Sequence, residues 1–393
     1  MIKLYSHQER CLVETKDRSR VAYYLDMGLG KTFVAGEKAK ELDKPVMVVC
    51  QKSKIDDWKE HFYTHYDLPV SVINYDLAWR RSEYLNWADF TLILDESSLI
   101  KNETAKRSKY VLQLKPANVI LLSGTPTGGK YEELWSQCRL LGWNISKKLF
   151  YDHYVITEKI DVGGFPLTKV VGYKNVDRLK AKLRQYGAVF MKTDEVFDLP
   201  EQVETVSKVK ATKEYRQFKR DRYLALDTTE LVGDTPLKQL LYQRQLCGQY
   251  NKNKLAAVRD LLDSNNDRVI IFYNFTAEFE LIKTLTDRPI SYINGTGTDL
   301  VNYEAHANSI TCVQYQAGAM GHNLQRSNII IYFTLPLSSE LFEQSQKRIH
   351  RIGQSRTCFY YYPLTEKSVE EKILNVLKER RDFTDALFKE EAG

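Results

Sequence analysis

Two sets of short apolar runs, each run followed by polar punctuation and then a helical pattern, constrain this chain more than any other feature. In the first half Val21-Ala22-Tyr23-Tyr24-Leu25 precedes Gly28 to Lys31, and Phe33-Val34-Ala35 then continues at helical spacing. Val46 to Cys50, Leu92 to Leu94 and Val119 to Leu122 follow in the same style, and Val269 to Tyr273, Ile310 to Gln314 and Ile329 to Phe333 repeat it in the second half. Short runs without alternation fit strands buried on both faces, and strands that alternate with helices form parallel sheets covered by helices on both sides. The expected class is α/β with two lobes. Between them, about Tyr131 to Tyr250, lies a stretch rich in Lys, Arg and Tyr that reads as mostly helical, with a Gly163-Gly164 turn in a hairpin or loop. The expected division is 1–200 for the first lobe, with a helical protrusion at about 127–200. The second lobe is 201–393, with a helical protrusion at about 201–250 and a helical segment from about 366 onward.

A chain of 393 residues can bury the cores that such a division needs. No stretch approaches ~18 consecutive apolar residues, which excludes a membrane-spanning helix, and Met1 to His7 carries no apolar signal core. The six cysteines are scattered without a Cys-x-x-Cys pair, so they read as reduced, mostly buried thiols of a cytoplasmic protein and not as zinc ligands. The formal charge of +6 fits a polyanionic partner. Locally, Lys208, Lys210, Lys213, Arg216, Lys219, Arg220 and Arg222 are offset only by Glu214 and Asp221, which suits either a solvated helical face or a surface turned to a polyanion.

Gly28-Leu29-Gly30-Lys31-Thr32 stands where a strand ends and a helix begins. Glycines there let successive backbone N–H groups converge on phosphate oxygens, and the helix N-terminus adds partial positive charge. Lys31 would hold the β- and γ-phosphates of ATP, and the Thr32 hydroxyl would ligate Mg²⁺. The strict P-loop pattern wants a glycine at Leu25, which is absent. Farther on, Thr91-Leu92-Ile93-Leu94 ends in Asp95-Glu96, which places two carboxylates at the carboxyl edge of a sheet. Asp95 would position Mg²⁺, and Glu96 would orient and deprotonate a water. In the second half Gln344, Arg348 and Arg351 stand at i, i+4 and i+7, so on a continuous helix they share a face, with Phe342, Ile349 and Ile352 anchoring it. Such guanidiniums suit a γ-phosphate, and the bland reading is a solvated basic helix.

Taken in order, these segments resemble the motifs of superfamily-two helicases, and the SWI/SNF-type ATPases in particular. Tyr5-Ser6-His7-Gln8 resembles the adenine-recognising glutamine motif, and Asp26 to Thr32 the phosphate loop. Val48 to Ser53 with Trp58, and Ile73-Asn74-Tyr75-Asp76, resemble the two following motifs. Leu94 to Ser98 with Ile100-Lys101-Asn102 resembles the acid-pair motif, and Ser123-Gly124-Thr125-Pro126 the one after it. In the second lobe the resemblance runs through Val269 to Phe272 and Ala317 to Leu324 to His350-Arg351-Ile352-Gly353-Gln354, the most family-specific string. Met191 to Val196 resembles the segment that closes the family's first protrusion. Three departures stand out: Ser98 replaces the usual histidine, Lys347 an acidic residue, and Thr334-Leu335-Pro336 the usual Trp-Asn-Pro.

The resemblance implies two RecA-like lobes with parallel sheets and helical protrusions between them, ATP with Mg²⁺ as cofactors, and double-stranded DNA as the partner, with branched or single-stranded DNA as further substrates. It implies ATP contacts at Gln8, Gly28, Leu29, Gly30, Lys31, Thr32 and Gly321, with Ser123 and Thr125 coupling the nucleotide state to motion. Lys52, Asn74, Lys101 and Asn102 would meet DNA in the first lobe, and Asn274, Asn294, Ala317 and Gly318 in the second. No bromodomain, chromodomain or nuclease signature accompanies the motifs, so the expectation is a minimal motor of bacterial or phage type, working in the cytoplasm on protein clients the sequence does not name. Four functions compete: a translocase on duplex DNA, a strand-separating DNA or RNA helicase on the same core, a non-hydrolysing nucleic-acid scaffold, and a P-loop enzyme for small molecules. Intact Lys31, Glu96 and Arg351 argue against the scaffold, and a second motif-bearing lobe against the small-molecule enzyme.

Overall fold

The computed structural model describes residues 2–162, 165–226, 229–318 and 323–388. The chain divides into two compact units, Met1–Phe197 together with Arg380–Gly393, and Asp198–Glu379.

The first unit carries the strands β1 (Arg20–Leu25), β2 (Val46–Cys50), β3 (Val70–Asn74), β4 (Thr91–Asp95), β5 (Asn118–Leu122), β6 (Val155–Val162), β7 (Phe165–Tyr173) and β8 (Ala188–Met191). Six of them form one sheet in the order β3-β2-β4-β5-β1-β8. Every pairing in it is parallel, with Ala22 opposite Leu121 and Ala188, and Leu94 opposite Leu121 and Val49. The alternation of side chains explains the unbroken apolar runs. Ala22, Tyr24, Leu92, Leu94, Val119 and Leu121 pack into one core, while Val21, Tyr23, Ile93, Ile120 and Leu122 pack into another on the opposite face. Helices over both faces complete the layers.

The second unit holds β9 (Gln202–Val209), β10 (Tyr223–Leu226), β11 (Thr229–Val232), β12 (Val269–Tyr273), β13 (Ile290–Asn294), β14 (Gly297–Asp299), β15 (Ile310–Gln314), β16 (Ile329–Tyr332) and β17 (Cys358–Thr365). Its sheet runs β14-β13-β15-β12-β16-β17-β9, parallel except for the antiparallel β13–β14 edge. Here too one strand serves two cores, Ile270 and Phe272 on one face, Val269, Ile271 and Tyr273 on the other.

The α/β class and the parallel sheets agree with the sequence reading, and the stretch from Tyr131 to Tyr250 carries the helices Lys147–Tyr154, Val176–Gln185, Lys213–Asp221 and Pro236–Gly248, but it is not mostly helical. It contains two hairpins, β6–β7 and β10–β11, besides β8 and β9, which complete the two main sheets. Thr157-Glu158-Lys159-Ile160 is exposed throughout, so this hairpin shows no apolar run to read. The Gly163-Gly164 turn lies outside the described residues, although β6 and β7 flank it as a hairpin, with Asp161 opposite Pro166. All six cysteines are free and buried. Among the described residues no helix is long and apolar enough to cross a membrane.

Candidate nucleotide site and motif geometry

Open parallel sheets place their functional loops at the carboxyl ends of the strands, and the first unit does this with adjacent β1, β4 and β5. After β1 the chain turns through Gly28 and Gly30, both at positive φ (89° and 74°), and enters the helix Lys31–Leu42. Gly30 is required twice, for its φ and because a Cβ there would come within 2.1 Å of Gln8 Nε2. Gln8 is 4 % exposed; its Oε1 accepts from the Tyr5 N–H (2.9 Å) and its Nε2 donates to Leu29 O (3.2 Å). His7 Nε2 lies 3.1 Å from the same carbonyl and therefore carries the proton there. Lys31 Nζ donates to Leu25 O (2.9 Å) and Asp26 O (3.3 Å), across the loop it follows.

Asp26 braces this loop from beneath. Its Oδ1 accepts from the Met27 N–H (3.0 Å), and its Oδ2 accepts from the Thr193 hydroxyl (3.0 Å) and N–H (3.4 Å). The segment resembling the end of a protrusion is thus a support of the phosphate loop, a link across 167 residues that no spacing in the sequence reveals.

At the end of β4 the two carboxylates have separate partners. Asp95 Oδ2 accepts from the Trp58 indole N–H at 2.8 Å. Burial pushes the Asp95 carboxyl above the ordinary carboxylate value, opposed by the Trp58 hydrogen bond and by the positive charges of Lys31 and Lys54. Glu96 sits at φ 59°, in the left-handed region, and its Oε1 accepts from the Ser123 hydroxyl at 3.1 Å. Ser123 Oγ in turn accepts from the Thr125 N–H at 3.1 Å, and the Tyr75 hydroxyl donates to Asp95 O at 3.0 Å. A Cβ on Gly124 would lie 3.5 Å from Lys31 Nζ, so the loop after β5 runs close to that ammonium as well as to the acid pair. Ser98, standing in the histidine's place, is fully buried.

For a cation the donor set fits a triphosphate-borne Mg²⁺. Among the described residues no group of three His, Cys, Asp or Glu could cage a metal by itself. Mg²⁺ on a nucleotide takes only one or two protein ligands, and Asp95 has one oxygen engaged by Trp58 with Lys31 close by. Thr32 is in the first turn of the helix that Gly30 caps.

The arginine string departs from its expected form. The helix Ser339–Gln346 carries Gln344, 5 % exposed, and then stops; Arg348 and Arg351 lie in the turns beyond it. Gly353 stands at φ 93°, a conformation that a residue with a Cβ adopts only under strain. Gln354 Nε2 donates to Ser327 O (2.8 Å) and Gln325 O (3.0 Å), and His350 donates to Pro200 O (3.0 Å). These tertiary anchors replace helical geometry. Phe342 and Ile349 are buried as expected, Arg348 is 4 % exposed, and Arg351 is half-buried. Burial holds the Arg351 guanidinium below its ordinary value, and among the described residues no carboxylate pairs with it.

Several expected DNA contacts have other occupations. Asn74 ends β3 at 6 % exposure and caps the next turn, its Oδ1 accepting from the Asp76 (3.1 Å) and Leu77 (2.9 Å) N–H groups. Asn274 is committed inward, with Nδ2 donating to Thr334 Oγ1 (2.9 Å) and Leu335 O (3.0 Å). Asparagine at a strand end satisfies nearby backbone groups in this way. Asn102 and Asn294 shape turns in the same way, through Thr104 and Thr296. Lys52 is exposed in the turn Lys52–Lys54, and Lys101 is half-exposed after the acid pair. Ala317 is buried; Gly318 ends the short helix Tyr315–Gly318, and Gly321 lies outside the described residues.

The chain is similar to known proteins over most of its length. The family model for the SNF2-related domain matches residues 69–252, and that for the helicase conserved C-terminal domain matches residues 253–353. The chain is 24% identical over 436 residues to YwqA of Bacillus subtilis (strain 168), named as an ATP-dependent helicase/translocase, covering 93% of this chain and 46% of that protein. It is 22% identical over 434 residues to the Caenorhabditis elegans homolog of the SWI/SNF-related matrix-associated actin-dependent regulator of chromatin subfamily A-like protein 1, covering 97% and 61% respectively. The chain thus spans about half the length of the curated relatives it matches. The Sulfolobus solfataricus SWI2/SNF2 ATPase core in complex with dsDNA is 20% identical, with a TM-score of 0.45, covering 98% of this chain and 92% of that one.

Proposed function

The chain belongs to the SNF2-related helicases, and from that premise we propose that it is a DNA-dependent ATPase that couples ATP hydrolysis to movement along double-stranded DNA. One observation carries the chemistry: Lys31, Asp95, Glu96 and Ser123 meet at the carboxyl ends of three adjacent parallel strands, with Glu96 held by Ser123 and Asp95 held by Trp58. Gln8 reads the base, Lys31 and the loop N–H groups hold the phosphates, and Glu96 orients the attacking water and accepts its proton. Thr32 and Asp95 would hold Mg²⁺, which would supply charge neutralisation on the triphosphate. Arg351, desolvated and without a carboxylate partner among the described residues, takes the arginine-finger role, with Gln344 and Arg348 beside it in the chain.

Nucleic acid is bound through phosphates, with Lys52, Asn74, Lys101 and Asn102 in the first unit and Asn274, Asn294, Ala317 and Gly318 in the second as the contacts. Binding of that kind tolerates any sequence and weakens steeply with salt. Translocation on intact duplex is preferred over strand separation because the sequence offers no wedge. ATP-driven displacement of a triplex-forming strand from duplex DNA tests the reading. Displacement of that third strand supports translocation; unwinding of a tailed duplex with no displacement moves the assignment to a helicase.

A further inference from the structure

We infer that Gln137 is a positioning residue for Glu96, a reading that rests on Glu96 being the group that orients water. Gln137 lies on the helix Trp135–Leu140, is fully buried, and has as helical neighbours Leu134, Cys138 and Leu140 of an apolar core. An amide in such a core carries a desolvation cost unless its polar atoms are bonded. Nε2 donates to Pro126 O at 2.7 Å, and Oε1 accepts from the Ser97 hydroxyl at 2.8 Å and the Tyr24 hydroxyl at 2.9 Å. The pattern fixes the amide's orientation. A carbonyl only accepts, so the nitrogen must face Pro126, and both hydroxyls must then donate to the oxygen.

The three partners belong to the three strand ends that build the site. Tyr24 is on β1, Ser97 follows Glu96, and Pro126 closes the loop whose Ser123 hydrogen-bonds Glu96. The result is a closed ring: Glu96 side chain to Ser123, along the loop to Pro126, through Gln137 to Ser97, and back to Glu96 through the backbone. Glu96 is a non-glycine residue at φ 59°, a conformation that costs energy and persists where surroundings over-determine it. Tyr75 holds the peptide on its N-terminal side, through Asp95 O, and the Ser97–Gln137 bond holds the C-terminal side. The loop from Ser123 to Pro126 therefore cannot shift without moving both the carboxylate of Glu96 and its backbone. Gln137 is the part that makes the second connection.

The test is steady-state ATPase of the intact chain with saturating nucleic acid, comparing wild type, Gln137→Leu, Ser97→Ala, Ser123→Ala, and the Gln137→Leu/Ser123→Ala pair. Gln137→Leu is expected to lower kcat at least tenfold while KM for ATP stays within twofold. The double variant is expected to be no more than about threefold worse than the poorer single one, because both act through the same ring. A kcat within twofold of wild type in folded Gln137→Leu would overturn the inference, and so would losses that multiply fully in the double variant. If Gln137→Leu fails to fold, Ser97→Ala severs the same link at lower cost; a threefold or greater fall in its kcat supports the inference and an unchanged kcat refutes it. Lys31→Ala is run alongside. Turnover surviving that change would sink the site assignment itself, whereas inactive Lys31→Ala with fully active Gln137→Leu would sink only the role of Gln137.

Discussion

The indole N–H of Trp58 donates a 2.8 Å hydrogen bond to Oδ2 of Asp95, joining two residues 37 positions apart. The bond does two things at once. It orients a carboxylate at a strand end, and it opposes the burial that otherwise raises that carboxylate's proton affinity.

Replacing Trp58 by phenylalanine keeps the ring and removes the donor. In the role proposed for it Asp95 must be ionised to hold Mg²⁺, so activity should be lost as pH falls through its folded pKa, which burial already sets above the ordinary value. Without the indole that pKa rises further, and the acid limb of the ATPase pH profile moves to higher pH. Half-saturation by Mg²⁺ should weaken by about 10- to 100-fold, the usual effect of losing a partner behind a metal ligand. A Mg²⁺ titration at two pH values checks both; an acid limb that does not move contradicts the account.

Lys31→Ala and Glu96→Gln should each abolish ATP turnover and leave nucleic-acid binding largely intact, as measured by fluorescence anisotropy of a labelled duplex. The two residues share the proposed nucleotide site, and neither is assigned a contact to DNA. Turnover near wild type in either variant would remove the site assignment.

Arg351→Ala should lower kcat by ~10³ or more, as for other arginine fingers, while changing ATP affinity much less. Its guanidinium is desolvated without a carboxylate to compensate among the described residues. Single-turnover ATPase resolves the effect, and a loss below tenfold would mean that Arg351 does not act on the transferred phosphoryl group.

Glu278 predicts a pH dependence of stability. It is fully buried, its Oε2 accepts from the Asn274 and Phe275 N–H groups and the Thr334 hydroxyl, and burial pushes its carboxyl up to about 7. An acid whose folded pKa is raised binds a proton in the folded state before it does so unfolded. Stability from this group is therefore greatest below the unfolded value and declines as pH rises to about 7. Glu278→Gln should flatten that decline, removing up to ~3 kcal/mol of pH dependence. Thermal melts at pH 5.5 and 8 test it; equal slopes in the two proteins would refute it.

Much of the fold could be read because buried parallel strands advertise themselves. Val21 to Leu25 and Val269 to Tyr273 are unbroken apolar runs since both faces of each strand meet a core. Ile290–Asn294, with Ser291 between apolar neighbours, shows no such run. The phosphate loop and acid pair were visible because their chemistry needs contiguous residues. Their supports were not. Trp58 reaches Asp95, Thr193 reaches Asp26 and Gln137 reaches Ser97 across the folded core, at separations that follow no period. Periodicity misled at Arg348 and Arg351, where Gly353, Gln354 and His350 hold turns through tertiary bonds instead of extending the helix.

The most direct test of the central claim is the steady-state ATPase rate without nucleic acid and with duplex DNA, single-stranded DNA or RNA, each at low and moderate salt. The account predicts strong stimulation by duplex DNA that weakens as salt rises. Rates indifferent to every nucleic acid would contradict it, leaving an ATP site without a DNA motor.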